Sequence, residues 1–262
     1  HRNPISGICY PSPRDPPMRY SQYSYRRSSL FGYFPPGIRW LLISNTLIFL
    51  VYFLGGGSLK LHLTTLFALW AAAAVRSLFV WQLFTYMFLH GGITHLLFNM
   101  LTLWMFGIML ERDWGTRRFL KYYFLCGIAA GVCVLVANIA VGDWQTPTIG
   151  ASGAIFGVLV AFGVLYPNQT VLMGFLFPIK AKYMVMIYAA IELLLTFGPN
   201  TGVSTVAHLG GMAFGYVYLK RRMPSVPLPD VRGAWRQWRL SRAKKKFQVY
   251  MRKHGNRDPW SN

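Results

Sequence analysis

The chain has 262 residues, of which 54% are hydrophobic and only 13% charged, and its apolar residues fall in long blocks. This composition is typical of an integral membrane protein. The net charge of +20 would favour nucleic acid as the partner of a soluble protein, but here the basic residues flank the apolar blocks, where they set orientation and meet anionic lipid. We therefore expect no nucleic-acid partner.

The first 37 residues form a tail that differs in composition from the rest of the chain. They are rich in Pro, Ser, Tyr and Arg and have no apolar periodicity, which predicts a disordered or surface-lying segment. The first long apolar block begins only at Ile38, and no small-residue cleavage site follows it. This pattern does not match a secretory signal peptide.

Six apolar segments are predicted to be membrane-spanning helices, at residues 38–54, 93–110, 119–141, 150–165, 183–197 and 203–219. Residues 58–92 are apolar but interrupted by Trp and basic residues, which favours a segment lying in the membrane interface. Residues 171–177 are too few to cross a bilayer, so we interpret them as a hairpin that dips into the interface. The predicted fold is an all-α, polytopic membrane protein with one six-helix domain at residues 38–220.

Residues 221–262 form a second tail, in which Arg and Lys alternate with aromatic residues. This pattern is typical of a basic amphipathic helix on a membrane surface that carries anionic lipid. With six spans, both tails lie on the same side, and that side holds all but two of the 27 Lys and Arg residues. The positive-inside rule therefore predicts that both tails are cytoplasmic. The lack of a recognisable targeting presequence or seventh span is compatible with a bacterial inner membrane.

Few polar side chains lie within the predicted spans, and each is a candidate functional residue because burying such a group in lipid is costly. Ser152 begins the fourth span, and His208 lies early in the sixth. The orientation places both near the outer face, and glycines on the two helices would allow close approach. A serine hydroxyl needs a base to become nucleophilic, and histidine is the usual one. Helix packing alone is the alternative explanation for the glycines.

His95 and Asn99 lie four residues apart and so project from one face of the second span. With the free amides at the start of the fourth span, including that of Ser152, they could donate hydrogen bonds to an oxyanion. Their alternative role is to stabilise the bundle through hydrogen bonds between helices. A metal site is disfavoured because His90 and His95 do not share a helical face and no carboxylate or cysteine joins them. Glu192 has no evident partner in the sequence, which favours a structural role and a dyad without a third residue.

Three motifs resemble the rhomboid family of intramembrane serine proteases: His95 to Asn99 (HLLFN), Gly150 to Gly153 (GASG) and Ala207 to Gly215 (AHLGGMAFG). The sequence Glu111, Arg112 and Gly115 after the second span and Trp81 in the broken segment also resemble the family. Two positions depart from the pattern of some members: Gln82 follows Trp81 where an arginine is common, and Phe156 stands where a tyrosine often stacks near the histidine.

The resemblance implies an endopeptidase that cleaves the transmembrane helices of single-span or polytopic membrane proteins near their outer end. It implies a Ser152 and His208 dyad, an oxyanion site of His95, Asn99 and Ser152, and no cofactor or metal. Gly150 and Phe156 are assigned to substrate binding. Gating is assigned to the fifth helix and the turn at residues 198–202.

Two other functions fit parts of the sequence. One is a catalytically inactive rhomboid-like protein that binds membrane helices, although such a protein would normally lack the serine or the histidine. The other is a transporter whose polar path includes these side chains. No inverted repeat is visible, and the polar residues cluster at one depth, which disfavours the transporter.

Overall fold

The computed structural model of the chain describes residues 34–174, 176–198, 205–222 and 239–248. The described residues from Pro35 onward belong to one compact unit, which is mostly helical, as predicted for a helical membrane bundle. The predictions for residues 1–33 and for most of the C-terminal tail lie outside the described residues. Within that tail, residues 239–248 form a helix whose side chains are all exposed. The domain boundaries after residues 37 and 220 stay predictions.

The helices, in chain order, are α1 (Pro36–Leu54), α2 (Gly56–Phe67), α3 (Ala71–Arg76), α4 (Gln82–Thr85), α5 (Ile93–Trp114), α6 (Thr116–Val141), α7 (Ser152–Leu165), α8 (Ala181–Thr196) and α9 (Thr205–Arg222). One turn of 3-10 helix, Tyr86–Phe88, follows α4. The strands β1 (Thr170–Met173) and β2 (Phe177–Lys180) pair antiparallel between α7 and α8, where the sequence predicted a hairpin. The six predicted spans coincide with α1 and α5 to α9 to within a few residues.

Helix α7 is the centre of the bundle. It packs against α5, α6, α8 and α9, and nearly all of its side chains are buried. Its 14 residues are about 21 Å long at 1.5 Å per residue, less than the roughly 30 Å thickness of a bilayer core. Because other helices surround it, α7 can begin partway across the bundle without exposing its backbone to lipid.

Three helices, α1, α5 and α6, are long and apolar enough to cross a membrane by length and composition alone. Helix α7 is apolar but short, α8 has 16 residues, and α9 is 18 residues long with a basic last turn. The protein is therefore an integral membrane protein with a helical bundle. The count of six spans stays a prediction.

Glycines allow α7 and α9 to touch backbone to backbone. A Cβ atom on Gly211 would collide with the carbonyl oxygen of Gly153, and one on Gly215 would lie 3.2 Å from Cα of Gly157. Beside this contact, the Tyr122 hydroxyl of α6 donates a 2.8 Å hydrogen bond to the carbonyl oxygen of Gly157. The small residues that the sequence placed on these two faces are thus the ones that bring α7 and α9 together.

The segment between α1 and α5 is held together by the side chain of Gln82, which is fully buried. Its carbonyl oxygen accepts the backbone N–H of Trp70 at 3.1 Å, and its amide donates to the carbonyl oxygen of Thr65 at 3.0 Å. The Trp81 indole donates to the carbonyl oxygen of Leu66 at 2.9 Å. Gln82, one of the two departures from the family pattern, thus anchors this segment with a neutral side chain. The membrane-interface location of the segment stays a prediction.

Glu111 closes the bundle at the far end of α5. Its carboxylate accepts the backbone N–H groups of Gly37 and Ile38 at 2.6 and 2.7 Å and the hydroxyl of Thr116 at 2.6 Å. The first N–H groups of a helix have no partner within the helix, so a carboxylate there both satisfies them and complements the helix dipole. Glu111 therefore caps α1 and fixes it to the junction of α5 and α6.

Candidate active site

Ser152 is the first residue of α7, and the chain reaches it through a tightly held segment. Thr148 forms an antiparallel bridge with Leu69, and the Gly150 N–H donates a 2.9 Å hydrogen bond to the carbonyl oxygen of Tyr86. Gly150 has a φ of +119°, a conformation that side chains rarely allow. The start of α7 is therefore fixed to the segment between α1 and α5, with free amide groups at its first turn.

His208 lies in the first turn of α9 with its ring directed at Ser152. Its Nε2 atom is 2.8 Å from the Ser152 hydroxyl oxygen, which is hydrogen-bond distance. The histidine is 5% exposed, and the Ser152 side of the pair is partly buried at the cavity. The contact follows from the close α7 and α9 packing, because His208 and Gly211 lie three residues apart on one face of α9.

Two further side chains surround the His208 ring. Phe156, one turn after Ser152, stacks on the imidazole with ring centroids 4.2 Å apart and planes 13° from parallel. Glu192 of α8 places its Oε2 atom 3.0 Å from His208 Nδ1, within ion-pair distance although the two groups are not aligned as a hydrogen bond. The imidazole is thus confined on one face by Phe156 and at both nitrogens by oxygen atoms.

His95 and Asn99 also lie at this site. A Cβ atom on Gly150 would be 2.8 Å from His95 Nε2 and 3.8 Å from the Ser152 hydroxyl oxygen, so Gly150 leaves the space between them open. The Asn99 side-chain amide carries two hydrogens, and it donates one of them to the carbonyl oxygen of His95 in a 2.8 Å hydrogen bond. The second hydrogen does not take part in that bond.

One cavity of about 780 Å³ joins these groups. Its lining includes all six residues that the sequence assigned to the site, Ser152, His208, His95, Asn99, Gly150 and Phe156. Its lining also includes Phe98 and Thr102 of α5 and Met184 and Tyr188 of α8. Over their described lengths, α5 and α8 make no extensive contact with each other. The cavity thus has a lateral side between two helices as well as a polar end at Ser152.

His90 lies just before α5 and is fully buried, with its ring 5.0 Å from that of His95. Burial lowers the pKa of His90 to about 4, and the neighbouring His95 adds to the effect. His90 is therefore neutral at pH 7. Within the ranges that the structure describes, no three His, Cys, Asp or Glu side chains are grouped so that they could hold a metal ion.

The sequence interpretation missed the contact of Glu192 with His208. A pattern in α8 could have indicated it, because Tyr188, Glu192 and Thr196 lie at intervals of four and form one polar stripe on an otherwise apolar helix. The Thr196 hydroxyl donates to the carbonyl oxygen of Glu192 at 2.8 Å, and its oxygen is 3.1 Å from the hydroxyl oxygen of Thr205. The stripe therefore faces the start of α9, where His208 lies.

Comparison with known proteins identifies relatives of this bundle. The Rhomboid domain model matches residues 77–224, which is more than half of the chain. The chain is 32% identical over 203 residues to rhomboid protease GluP of Bacillus subtilis, covering 76% of this chain and 37% of the relative. It is 34% identical over 139 residues to the putative rhomboid protease YdcA of the same species, covering 52% and 64%.

A plant protein is similarly related. RHOMBOID-like protein 4 of Arabidopsis thaliana is 34% identical over 141 residues, which cover 52% of this chain and 32% of the relative. The matches span between about a third and two thirds of the length of these curated relatives. The chain belongs to the rhomboid family, which is known for intramembrane serine proteases.

Proposed function

We propose that this protein is an intramembrane serine endopeptidase that cleaves transmembrane helices of other membrane proteins near their outer end. The observation that carries the proposal is the 2.8 Å contact between the Ser152 hydroxyl and His208 Nε2 beside a cavity of the bundle. A hydroxyl and an imidazole at this distance form the nucleophile and general base of an acyl-transfer site.

The reaction assigns one role to each group. His208 Nε2 takes the Ser152 proton as the hydroxyl oxygen attacks the scissile carbonyl carbon, and the carbonyl oxygen becomes an oxyanion. The tetrahedral intermediate then collapses, the peptide C–N bond breaks, and the amine leaves with the proton from His208. A water molecule attacks the acyl-enzyme ester while His208 takes its proton; the ester bond to Ser152 then breaks, His208 returns the proton to the Ser152 oxygen, and the carboxyl product is released.

The oxyanion requires donors that are already in position. The backbone N–H of Ser152 lies at the start of α7, where the helix dipole favours negative charge. His95 and Asn99 supply side-chain donors from α5, and both line the same cavity. These three groups form the proposed oxyanion site. Preorganised donors stabilise the intermediate because they need no reorientation when charge develops on the oxygen.

The lateral side of the cavity supports a membrane-embedded substrate. A helix in the bilayer could approach between α5 and α8, which line the cavity but make no extensive contact over their described lengths. Its scissile segment must unwind, because peptide groups within a helix are already hydrogen bonded. Polar groups and water in the cavity would satisfy the released N–H and C=O groups. Gly150 leaves space beside Ser152 for this extended segment, and Phe156 forms part of the wall that it contacts.

The distribution of positive charge supports an orientation with both tails in the cytoplasm, where they would contact anionic lipid. This orientation puts Ser152 near the outer face. We propose a bacterial plasma membrane as the location, although relatives occur in both bacteria and plants. A C-terminal fluorescent-protein fusion should fluoresce and an alkaline-phosphatase fusion at the same position should be inactive. The reverse result would contradict the orientation and the outer-face cleavage site.

Cleavage by the purified protein tests the function directly. In proteoliposomes with a single-span helical substrate, Ser152→Ala should abolish cleavage, because loss of a serine nucleophile costs on the order of 10⁶-fold in kcat. Ser44→Ala is a matched control, since the Ser44 hydroxyl only donates to the carbonyl oxygen of Leu41 in α1. This control should cleave at the unmodified rate.

A fluorophosphonate probe tests the nucleophile without requiring the correct substrate. The probe should form a covalent adduct on Ser152, detected by mass spectrometry of the peptide, and Ser152→Ala should remove the adduct. Cleavage that survives Ser152→Ala would contradict the mechanism. Absence of both adduct and cleavage in the unmodified protein, with substrate helices still bound, would favour the inactive helix-binding alternative.

A further inference from the structure

Glu192 is a carboxylic acid buried within the helical bundle. The residue is 8% exposed, and its Oε2 atom lies 3.0 Å from His208 Nδ1. A carboxylate in a membrane-embedded segment is costly unless it is paired, so its position beside a titratable ring is informative. The mechanism described above, with its two-residue dyad, does not use it.

The two nitrogens of His208 face two different oxygen atoms. Nε2 is 2.8 Å from the Ser152 hydroxyl, and Nδ1 is 3.0 Å from Glu192. A neutral imidazole carries one proton, and it can accept the serine proton at Nε2 only if that proton is on Nδ1. A carboxylate next to Nδ1 favours this tautomer, and it also stabilises the imidazolium that forms after proton transfer.

We propose that Glu192 is a positioning residue for His208, which makes the site a Ser152, His208 and Glu192 triad. This inference rests on the proposed function, because it assigns a role in activating the same nucleophile. Glu192 does not contact the substrate in this scheme. It acts by holding the proton at Nδ1 and the lone pair of Nε2 toward Ser152. A small rotation of the carboxylate would align it with Nδ1, as catalytic hydrogen bonds often tighten only when substrate is bound.

The surroundings of the ring support this role for Glu192. The side chains that line the cavity with His208 include His95 from α5, Ser152 from α7 and Tyr188 from α8, and none of these is an acid. Asp143 also lines the cavity, but its carboxylate accepts the backbone N–H groups of Gln145 and Thr146. In the described parts of the chain, Glu192 is the carboxylate at ion-pair distance from His208.

The backbone around Glu192 is fixed to the helix that carries His208. The Thr196 hydroxyl donates to the carbonyl oxygen of Glu192, and its oxygen lies within hydrogen-bond distance of the Thr205 hydroxyl. Thr205 is the first residue of α9, three residues before His208. These bonds join α8 and α9 close to the proposed ion pair. Phe156 meanwhile stacks on the imidazole face, so that rotation of the ring away from Glu192 is restricted.

Glu192→Gln tests the proposal, because it removes the charge and keeps the shape of the side chain. We expect kcat to fall about 10- to 100-fold with KM little changed, as for loss of a residue that orients a catalytic ligand or base. The rate of fluorophosphonate labelling of Ser152 should fall by a similar factor. Because the probe does not need the substrate-helix path, this readout separates activation of Ser152 from substrate binding.

Glu192→Asp keeps the carboxylate and provides a test of rescue. It should give kcat and labelling rates between those of the unmodified protein and Glu192→Gln. If Glu192→Gln does not fold, the aspartate variant still tests the proposal, since its labelling rate per folded molecule should be below that of the unmodified protein. An unchanged rate there would contradict the proposal.

Glu111→Gln is the matched control. Glu111 is also a buried glutamate, but it caps α1 at the other end of α5 from His95 and Asn99. It should lower the melting temperature and leave kcat per folded molecule and the labelling rate unchanged. Wild-type kcat and labelling in Glu192→Gln, with both lost in Ser152→Ala, would refute the role of Glu192 and leave the proposed function standing. Cleavage that persists in Ser152→Ala would instead refute the proposed function and this inference with it.

Discussion

Gly211→Ala should move His208 away from Ser152 and so disrupt the proposed catalytic pair. The added methyl group would collide with the backbone carbonyl oxygen of Gly153, well inside the 3.0 Å that real Cβ atoms keep. A backbone atom cannot rotate away as a side chain would, so α9 must move from α7 by about 1 Å. Because His208 lies on the same face of α9, its distance from Ser152 would rise from 2.8 Å to about 3.8 Å, beyond hydrogen-bond range.

This displacement should change both the free energy of unfolding and kcat, and the two can be measured separately. Overpacking of a close contact costs about 1–3 kcal/mol in the free energy of unfolding, which SDS titration in mild detergent would measure. A misplacement of about 1 Å in a catalytic group costs on the order of 100-fold in kcat, which cleavage of a single-span substrate in proteoliposomes would measure. Per folded molecule, kcat should therefore fall even under conditions where the variant is fully folded.

Gly57→Ala is the control for this substitution. A Cβ atom there would meet nothing within 4 Å, and the residue lies within α2. Alanine in a helix is more favourable than glycine by up to about 1 kcal/mol, so this variant should be as stable as the unmodified protein or more so. If Gly211→Ala retained both the kcat and the stability of the unmodified protein, the argument that α7 and α9 packing assembles the catalytic pair would be refuted.

Two further predictions concern residues before and within α5. His95→Ala and Asn99→Ala should each lower kcat about 100-fold or more in the same cleavage assay, because each removes one oxyanion donor; an unchanged kcat would assign them to helix packing. His90 is neutral in the folded protein because burial lowers its pKa to about 4 from an ordinary value of 6.5, so the unfolded chain binds more protons between these values. The free energy of unfolding should therefore fall by about 2 kcal/mol as the pH drops from 7 to 5, and His90→Asn should lose this part of the dependence.

Controls distinguish these predicted effects from a general destabilisation by acid and from altered helix packing. The chain has six histidines, so the comparison for His90 is the difference between the two proteins at each pH and not the pH dependence of either alone. An equal pH dependence in both proteins would contradict the role of His90. For His95 and Asn99, the labelling of Ser152 by the fluorophosphonate probe shows whether the nucleophile itself is intact.

The helices and the pairing of Ser152 with His208 could be predicted because they depend on local sequence patterns. Apolar blocks located α1 and α5 to α9 to within a few residues, and charge counting predicted a common depth for Ser152 and His208. The glycines at 153 and 211 indicated which faces meet, because few arrangements other than close packing require them. The short length of α7, by contrast, has a tertiary cause, since a helix covered by other helices need not match the bilayer thickness.

Contacts that depend on the rotation of a helix were harder to predict. The role of Gln82 depends on three backbone groups within residues 65–70, which no periodicity connects to residue 82. The cap that Glu111 forms on α1 joins residues more than 70 positions apart. In both cases, the side chain satisfies backbone groups whose position is determined by tertiary packing. A sequence pattern therefore shows that a polar group is present without showing which groups it will meet.

Glu192 illustrates which part of a contact a sequence pattern can predict. A single glutamate in α8 has two possible explanations, an interhelical bond or a functional contact, and the sequence around it fits both. The stripe of Tyr188, Glu192 and Thr196 defines one face of α8, and the contact of Thr196 with Thr205 shows that this face is directed toward α9. Once that rotation is fixed, the side chain at 192 lies next to the first turn of α9, and the residue there is the proposed base. The same carboxylate that costs free energy to bury is thus placed where a developing imidazolium charge would offset that cost, and this is why Glu192→Gln should affect kcat more than stability.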